Sequence, residues 1–386
     1  MTRKILCVAG ARPNFVKIGP IVKALAACES LLTKLIHTGH HYDAMMSAVF
    51  FDDLNIPRPD VELAVGSGSH AAQTAEILQR FGRVLEVEQP HAVVVVGDVN
   101  STIACGLATA KFHLDVPFPS ALGARSRPVL IHVEAGLRSF ESDMPEEVNR
   151  RLTDGISDVL FVSEAAGMTN LASEGVSLER CFFVGNVMID ALLGVKERAL
   201  RSTLQSDALR ALSTEGRPYG LVTLHRPSNV DRLSDLLTTL DEIAHSLPLV
   251  FPVHPRTREK IDAACLTGRW ILTEPLGYLE MVKVMANAAV VLTDSGGVQE
   301  ETTVLGVPCL TLRENTERPA TIENGTNELV GTKRGVILAG FARAMARPTG
   351  VPTRVPPLWD GKTALRIAKV VEGVFTKPSV AALRSA

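Results

Sequence analysis

The sequence predicts an α/β protein built on two parallel sheets, and three observations carry that reading. Short β-branched runs alternate with amphipathic stretches from end to end, the pattern of strands joined by crossover helices. The runs fall into two series separated by a charged, helix-forming segment. The length, 386 residues, exceeds what one core of roughly 150 residues accounts for.

The first series holds the apolar runs Ile5–Val8, Leu32–His37, Ala92–Val96, Val129–Val133, Val159–Val162 and Phe182–Val184. Each meets a Gly, Asn, Asp, Ser or Pro breaker and then a helix-period stretch such as Phe15–Ala27 or Ser101–Phe112. Residues Phe118–Pro128, rich in Pro, Ser, Arg and Gly, interrupt the rhythm and are expected to form a surface insertion. Val195–Pro218 connects the two sheets. The second series is Gly220–Thr223, Leu249–Val253, Trp270–Leu272, Ala289–Thr293 and Pro308–Leu312. After the Pro-rich Arg347–Pro357, helical periodicity resumes over Lys362–Phe375. The expected organisation is therefore a domain over 1–187, a second over 188–361, and a C-terminal helix and tail over 362–386 that packs back on the first.

Composition removes several function classes. Forty basic against forty-two acidic residues give a formal charge of −2, which leaves no basic footprint for gripping nucleic acid. The six cysteines are scattered without metal-ligand or disulfide spacing, so a reduced, cytoplasmic protein without a structural metal is expected. The apolar N-terminal stretch is cut by Gly10, Arg12 and Pro13 before it reaches signal length, and no run is long enough to span a bilayer.

Open α/β sheets bind ligands beyond the carboxyl ends of their strands, which directs attention to polar residues there. Gly10-Ala11-Arg12-Pro13-Asn14, with Lys17 one turn on, offers either a phosphate site at a helix N-terminus or a plain turn with solvated cations. Asp98 in Gly97-Asp98-Val99-Asn100-Ser101 is either a functional carboxylate or a helix N-cap, the commoner role. Alternation along the next strand sends His132 and Glu134 to one face, and Glu146 opens a helix soon after. Asp98, Glu134 and Glu146 are thus three acidic groups at neighbouring strand ends, suited to proton transfer.

In the second half, His225 follows one strand and His254 the next; the flanking prolines favour a structural role for His254. Asp294-Ser295-Gly296-Gly297-Val298-Gln299-Glu300-Glu301 presents either an anion site of bare N–H groups or a turn capped by Ser295, with Glu301 placed to accept from a ribose. Arg318 adds a cation after the last strand. Neither GxGxxG nor GxxxxGK[ST] occurs, so hydride transfer and ATP hydrolysis lose support.

Taken in order, Gly10-Ala11-Arg12-Pro13, Gly97-Asp98, His132-Val133-Glu134-Ala135-Gly136-Leu137-Arg138, Pro145-Glu146-Glu147-Val148-Asn149-Arg150, Gly185-Asn186, His225-Arg226, Asp294 to Glu301 and Thr316-Glu317-Arg318-Pro319 resemble the non-hydrolysing UDP-N-acetylglucosamine 2-epimerases. The resemblance runs nearly the whole chain. It implies two Rossmann-like domains facing across a cleft, the glycosyltransferase-B architecture, and interconversion of UDP-GlcNAc and UDP-ManNAc through loss of UDP and a 2-acetamidoglucal. It implies a homodimer, UDP and a UDP-sugar as partners, and no cofactor. By motif position, Asp98, Glu134 and Glu146 are the implied acid and base groups, with His225 beside the diphosphate. Arg12 and Lys17 lie on the first domain's side, Ser295, Gly296 and Gly297 hold phosphate, Glu301 binds ribose, Arg318 adds charge, and Leu276 and Met281 meet uracil.

Three positions depart from the family's pattern: Asn14 where Glu is frequent, His40 where Gln is, and Pro227-Ser228-Asn229 after His225-Arg226. The last two lie in segments that bind a second UDP-GlcNAc as activator in bacterial members, so that activation is not expected here. A 2-epimerase of another UDP-2-acetamido sugar such as the 2,3-diacetamido uronate, a UDP-sugar glycosyltransferase and a nucleotide-sugar sensor without turnover are the alternatives.

Overall fold

The computed structural model describes residues 2–10, 12–39, 53–54, 56–226, 233–253, 258, 261, 266–347 and 354–384. His40, Pro227-Ser228-Asn229 and His254 lie outside them, as does the Arg12 side chain.

In chain order the first unit contains strand β1 (Arg3–Ala9), helix α1 (Arg12–Ala26), β2 (Leu31–Gly39), β3 (Val61–Val65), α2 (His70–Glu88), β4 (Ala92–Val96), α3 (Asn100–Lys111), β5 (Phe118–Ser120), β6 (Gly123–Arg125), β7 (Val129–Ala135), α4 (Pro145–Ile156), β8 (Val159–Val162), α5 (Ala165–Ser173) and β9 (Cys181–Phe183). Helix α6 (Val187–Arg201) follows. The second unit contains α7 (Asp207–Glu215), β10 (Gly220–Thr223), α8 (Leu233–Ser246), β11 (Leu249–Pro252), β12 (Trp270–Thr273), α9 (Tyr278–Ala286), β13 (Val290–Thr293), α10 (Gly296–Leu305), β14 (Cys309–Thr311), α11 (Pro319–Glu323), β15 (Asn327–Leu329) and α12 (Arg334–Ala346). Helices α13 (Thr363–Thr376) and α14 (Val380–Arg384) close the chain. Unit 1 comprises residues 1–191 and 357–386, and unit 2 residues 192–356.

Among the described residues, unit 1 carries a seven-stranded sheet of order β3-β2-β1-β4-β7-β8-β9, whose described pairs are parallel. Its central strand β4 is five apolar residues, all buried, as a strand covered on both faces requires. Leu6, Val8, Val93 and Val95 pack against Ile77, Phe81 and Leu85 of α2 in one apolar cluster, each large side chain stabilising by roughly 1.5–3 kcal/mol. Unit 2 carries a six-stranded parallel sheet of order β12-β11-β10-β13-β14-β15. In both sheets strand order reverses beside the first strand, between β1 and β4 and between β10 and β13. Those reversals are the switch points where an open α/β sheet leaves its crevice.

The returning C-terminal segment belongs to unit 1. Asp190 accepts the first N–H groups of α13, from Thr363 at 3.1 Å and Ala364 at 2.7 Å. Ser30 Oγ donates to Glu372 at 2.6 Å and Trp359 Nε1 to the Ser163 carbonyl at 2.9 Å.

Four parts of the sequence reading are corrected here. Phe118–Pro128 is not merely a surface insertion, because β5 and β6 form an antiparallel hairpin and Phe118 is buried against the Phe375 ring. Val61–Val65 is an additional edge strand, and Asn327–Leu329 another. The segment after Arg201 holds the further helix α7, which Gly216 ends in the left-handed conformation (φ 62°).

Candidate functional site

In unit 1 the segments at the ends of β1, β4 and β7 bring Asn14, Lys17 and Glu134 together around Gly97. Gly97, directly after β4, has φ 68°, a value suited to glycine. Its N–H donates to the Val133 carbonyl at 3.0 Å. A Cβ at this position would lie 3.4 Å from both the Glu134 Oε2 and the Lys17 Nζ.

Glu134 is itself left-handed, with φ 68°, and the β7–β8 register shifts between Val133 and Ala135. A non-glycine residue held so costs about 1–2 kcal/mol, and such strain gathers where side-chain direction matters. Its side chain is buried beside α1, where Lys17 Nζ donates to Oε2 at 2.5 Å. The other oxygen, Oε1, is buried without a hydrogen-bond partner among the described residues. Lys17, 9% exposed, is therefore not a solvated cation. Asn14, also buried, donates from Nδ2 to the Val96 carbonyl at 3.0 Å.

The bulge overturns the expected shared face of His132 and Glu134. Ideal alternation fails at a left-handed residue: Glu134 pairs with Lys17 of α1, whereas His132 Nδ1 meets Asp154 Oδ1 of α4 at 2.7 Å.

Asp98 is not an N-cap. Helix α3 begins at Asn100 with Val99 in the capping position and no side-chain cap bond. The Asp98 Oδ2 instead accepts from Arg150 Nε at 2.9 Å and Nη2 at 2.7 Å, and Asn149 Nδ2 donates to the Asp98 carbonyl at 2.8 Å. Arg150 also donates to Glu147 Oε2 at 2.5 Å. Glu147 in turn accepts the Ser139 N–H at 2.9 Å and its Oγ at 3.0 Å, so it anchors the loop between β7 and α4. Glu146 precedes this anchor in the first turn of α4, partly exposed. Arg150 and Asn149 were named only within the Pro145–Arg150 run and given no role, although the spacing from Glu146 and Glu147 to Arg150 is that of neighbours on one helix face.

In unit 2 the corresponding turns follow β10 and β13. Asp294 is fully buried and accepts the His225 N–H at 3.0 Å and the Arg226 N–H at 3.0 Å. This fixes the backbone of the His225 turn while its imidazole stays exposed. Ser295 precedes α10 without a side-chain cap bond, so the capping role is overturned too. Its own N–H donates to Thr293 Oγ1 at 3.0 Å. The N–H groups of Gly296 and Gly297 open the helix, where no intrahelical acceptor exists and an anion is favoured. A Cβ at Gly296 would come within 2.9 Å of Glu317 Oε1, so that carboxylate would have to shift.

Arg318, expected as a further cation, lies buried with Nε 2.5 Å from Glu300 Oε1. Glu317 is paired with Arg226 at 3.2 Å and Arg313 at 2.8 Å. Glu301 accepts from the Tyr278 hydroxyl at 2.7 Å. Burial, reinforced by the neighbouring Glu300 charge and opposed by the Tyr278 bond, pushes its carboxyl up to about 7. Leu276 and Met281 pack against the same apolar cluster as Tyr219 and Met285. The Met281 amide is bonded to the Gly277 carbonyl at 2.9 Å, which leaves Leu276 as the loop residue of the two.

Among the described residues, no group of three or more His, Cys, Asp or Glu side chains is placed to hold a metal ion, and no helix is long and apolar enough to cross a membrane.

Known proteins resemble the chain over its whole length. The profile of the UDP-N-acetylglucosamine 2-epimerase family matches residues 23–372. The UDP-N-acetylglucosamine 2-epimerase of Methanocaldococcus jannaschii is 37% identical over 95% of this chain and 98% of its own. The UDP-2,3-diacetamido-2,3-dideoxy-D-glucuronate 2-epimerase of Pseudomonas aeruginosa is 40% identical over 89% of this chain and 93% of its own. The crystal structure of the M. jannaschii UDP-GlcNAc 2-epimerase in complex with UDP-GlcNAc and UDP superposes with a TM-score of 0.82, covering 96% of this chain and 99% of that one. These neighbours share the glycosyltransferase-B-like pair of parallel-sheet α/β domains. With a family profile over most of its length and relatives of this similarity, the chain belongs to the UDP-N-acetylglucosamine 2-epimerase family.

Proposed function

We propose that the protein is a non-hydrolysing 2-epimerase that interconverts UDP-GlcNAc and UDP-ManNAc. The observation that carries this reading is Glu134: a buried carboxylate on a left-handed bulge, salt-bridged through one oxygen and without a partner at the other among the described residues. The C2 hydrogen of an acetamido sugar is a very weak acid, so the C1–O bond breaks first and UDP departs with the electron pair. The proton at C2 then passes to a carboxylate, the C1=C2 double bond of 2-acetamidoglucal forms, and UDP re-adds while a proton is delivered to the opposite face. Asp98, Glu134 and Glu146 supply the proton-transfer groups. Gly296, Gly297 and Ser295 hold the diphosphate, His225 assists its departure, and Glu301 binds ribose. The relatives crystallised with UDP-GlcNAc support the substrate. A homodimer belongs to the same reading and is tested by light scattering.

Incubation with UDP-GlcNAc in deuterated water is the test. Deuterium at C2 of both epimers is expected; neither incorporation nor UDP-ManNAc would refute the proposal. The 40% identity to the P. aeruginosa diacetamido uronate epimerase favours a second reading, the same reaction on that sugar, and turnover across a panel of UDP-2-acetamido sugars separates the two.

A further inference from the structure

His132 is fully buried on β7, and each ring nitrogen meets an acceptor. Nε2 lies 2.8 Å from the Gly97 carbonyl oxygen. A carbonyl only accepts, so this nitrogen carries a proton. Nδ1 lies 2.7 Å from Asp154 Oδ1. The other Asp154 oxygen accepts from Arg138 Nη2 at 2.7 Å and from the Gly136 N–H at 3.1 Å. A carboxylate paired with a guanidinium is an acceptor, so Nδ1 carries a proton as well. The ring is an imidazolium shut away from solvent.

The carbonyl that it grips belongs to the Gly97–Asp98 peptide. The Gly97 N–H is tied to Val133, so the residue is held on both sides in its left-handed conformation, with Asp98 next in the chain. We propose that His132 is a positioning residue, held as an imidazolium by its two acceptors, that fixes the Gly97–Asp98 peptide and with it the Asp98 carboxylate. The positioning half rests on the acid–base assignment of Asp98 above; the charge state does not. A neutral ring would turn a lone pair towards either the Asp154 carboxylate or the Gly97 oxygen, and one of the two bonds would become a repulsion.

The charged groups around the ring are few. Asp154 faces it from α4. Arg138 stands behind Asp154 and is tied to Glu174 at 2.6 Å, with Arg151 3.7 Å from the same glutamate. Beyond Gly97 lies the Lys17–Glu134 pair.

Two measurements on the full chain test the proposal. In protein labelled with 15N-histidine, with the His132 signal assigned by its loss in His132→Gln, both ring nitrogens are expected to carry a proton. A singly protonated ring overturns the inference. Second, Asp154→Asn removes the counter-charge with little change of shape. Exchange at C2 is expected to fall in kcat by about 100-fold, the scale on which a misplaced catalytic group costs rate, with KM and UDP affinity within about twofold of the wild type. Unchanged kcat overturns the role, and so does a parallel loss of kcat and UDP affinity, which marks general loosening. A fully active Asp98→Asn removes the positioning role and leaves the ring signal intact, whereas a neutral ring leaves the Asp98 assignment standing.

Discussion

Lys17 Nζ lies 2.5 Å from Glu134 Oε2, and both side chains are buried. The glutamate is aimed at that lysine by its own left-handed backbone, at the one place where β7 loses register with β8. One carboxylate oxygen thus keeps a salt bridge while the other is buried without a hydrogen-bond partner among the described residues, which supports the proton-transfer role proposed for Glu134.

Removing Lys17 alone leaves a buried charge uncompensated. Lys17→Met is expected to destabilise unit 1 by about 3–5 kcal/mol and to abolish exchange at C2, whereas adding Glu134→Gln recovers much of the stability without the activity. Urea unfolding of the two single variants and the double variant, read beside deuterium incorporation, checks both outcomes.

Glu134→Gln by itself keeps shape and removes only charge and proton transfer. UDP-GlcNAc binding by calorimetry is expected to persist while C2 exchange drops by about 100-fold or more, the usual range for a lost acid–base group. Turnover equal to the wild type would discard Glu134 as a proton-transfer group.

Asp294 makes no proposed contact with substrate, yet it holds the His225 and Arg226 amides. Asp294→Ala orphans two N–H groups, and we expect a loss of about 2–4 kcal/mol in stability together with weaker UDP binding. His225→Ala is expected to lower UDP affinity and rate together, with stability nearly unchanged because the imidazole is exposed; paired thermal melts and titrations with UDP distinguish the two.

Glu301 gives a pH dependence with a defined sign. Its carboxyl titrates near 7, above the ordinary glutamate value, so ionisation in the folded protein opposes stability from the unfolded value up to about 7. Stability is therefore expected to decline over that window. Accepting ribose hydroxyls favours the ionised form. UDP-GlcNAc affinity of the Glu134→Gln variant should then rise up to about tenfold between pH 6 and pH 8. The rise should vanish when Glu301→Gln is added; its persistence would assign the dependence elsewhere.

The central strands were legible because burial on both faces leaves a plain signature. Ala92–Val96 and Val159–Val162 read as continuous apolar runs and are buried throughout. Val61–Val65 was hidden because an edge strand carries polar residues such as Glu62 and gives no such run. The hairpin over 118–125 was hidden because its anchoring is tertiary: Phe118 is buried by Phe375, 257 residues away in the chain. At the candidate site, motif position located Asp98, Glu134 and Asp294 in turns at strand ends. The left-handed turn at Glu134 was not legible, since nothing in a glutamate announces positive φ. Partner choice was equally opaque: Lys17 faces Glu134 and Arg318 faces Glu300 only because the folded chain sets them there.

The return of α13 to unit 1 has a consequence for biosynthesis. When residue 356 leaves the ribosome, every residue of unit 2 has been made, while unit 1 still lacks its last segment. Trp359, the α13 cap on Asp190 and the cover over Phe118 all arrive afterwards. The nascent first sheet must wait, incompletely clothed, through the translation of the whole second one, so truncation within residues 357–386 is expected to weaken unit 1 rather than unit 2.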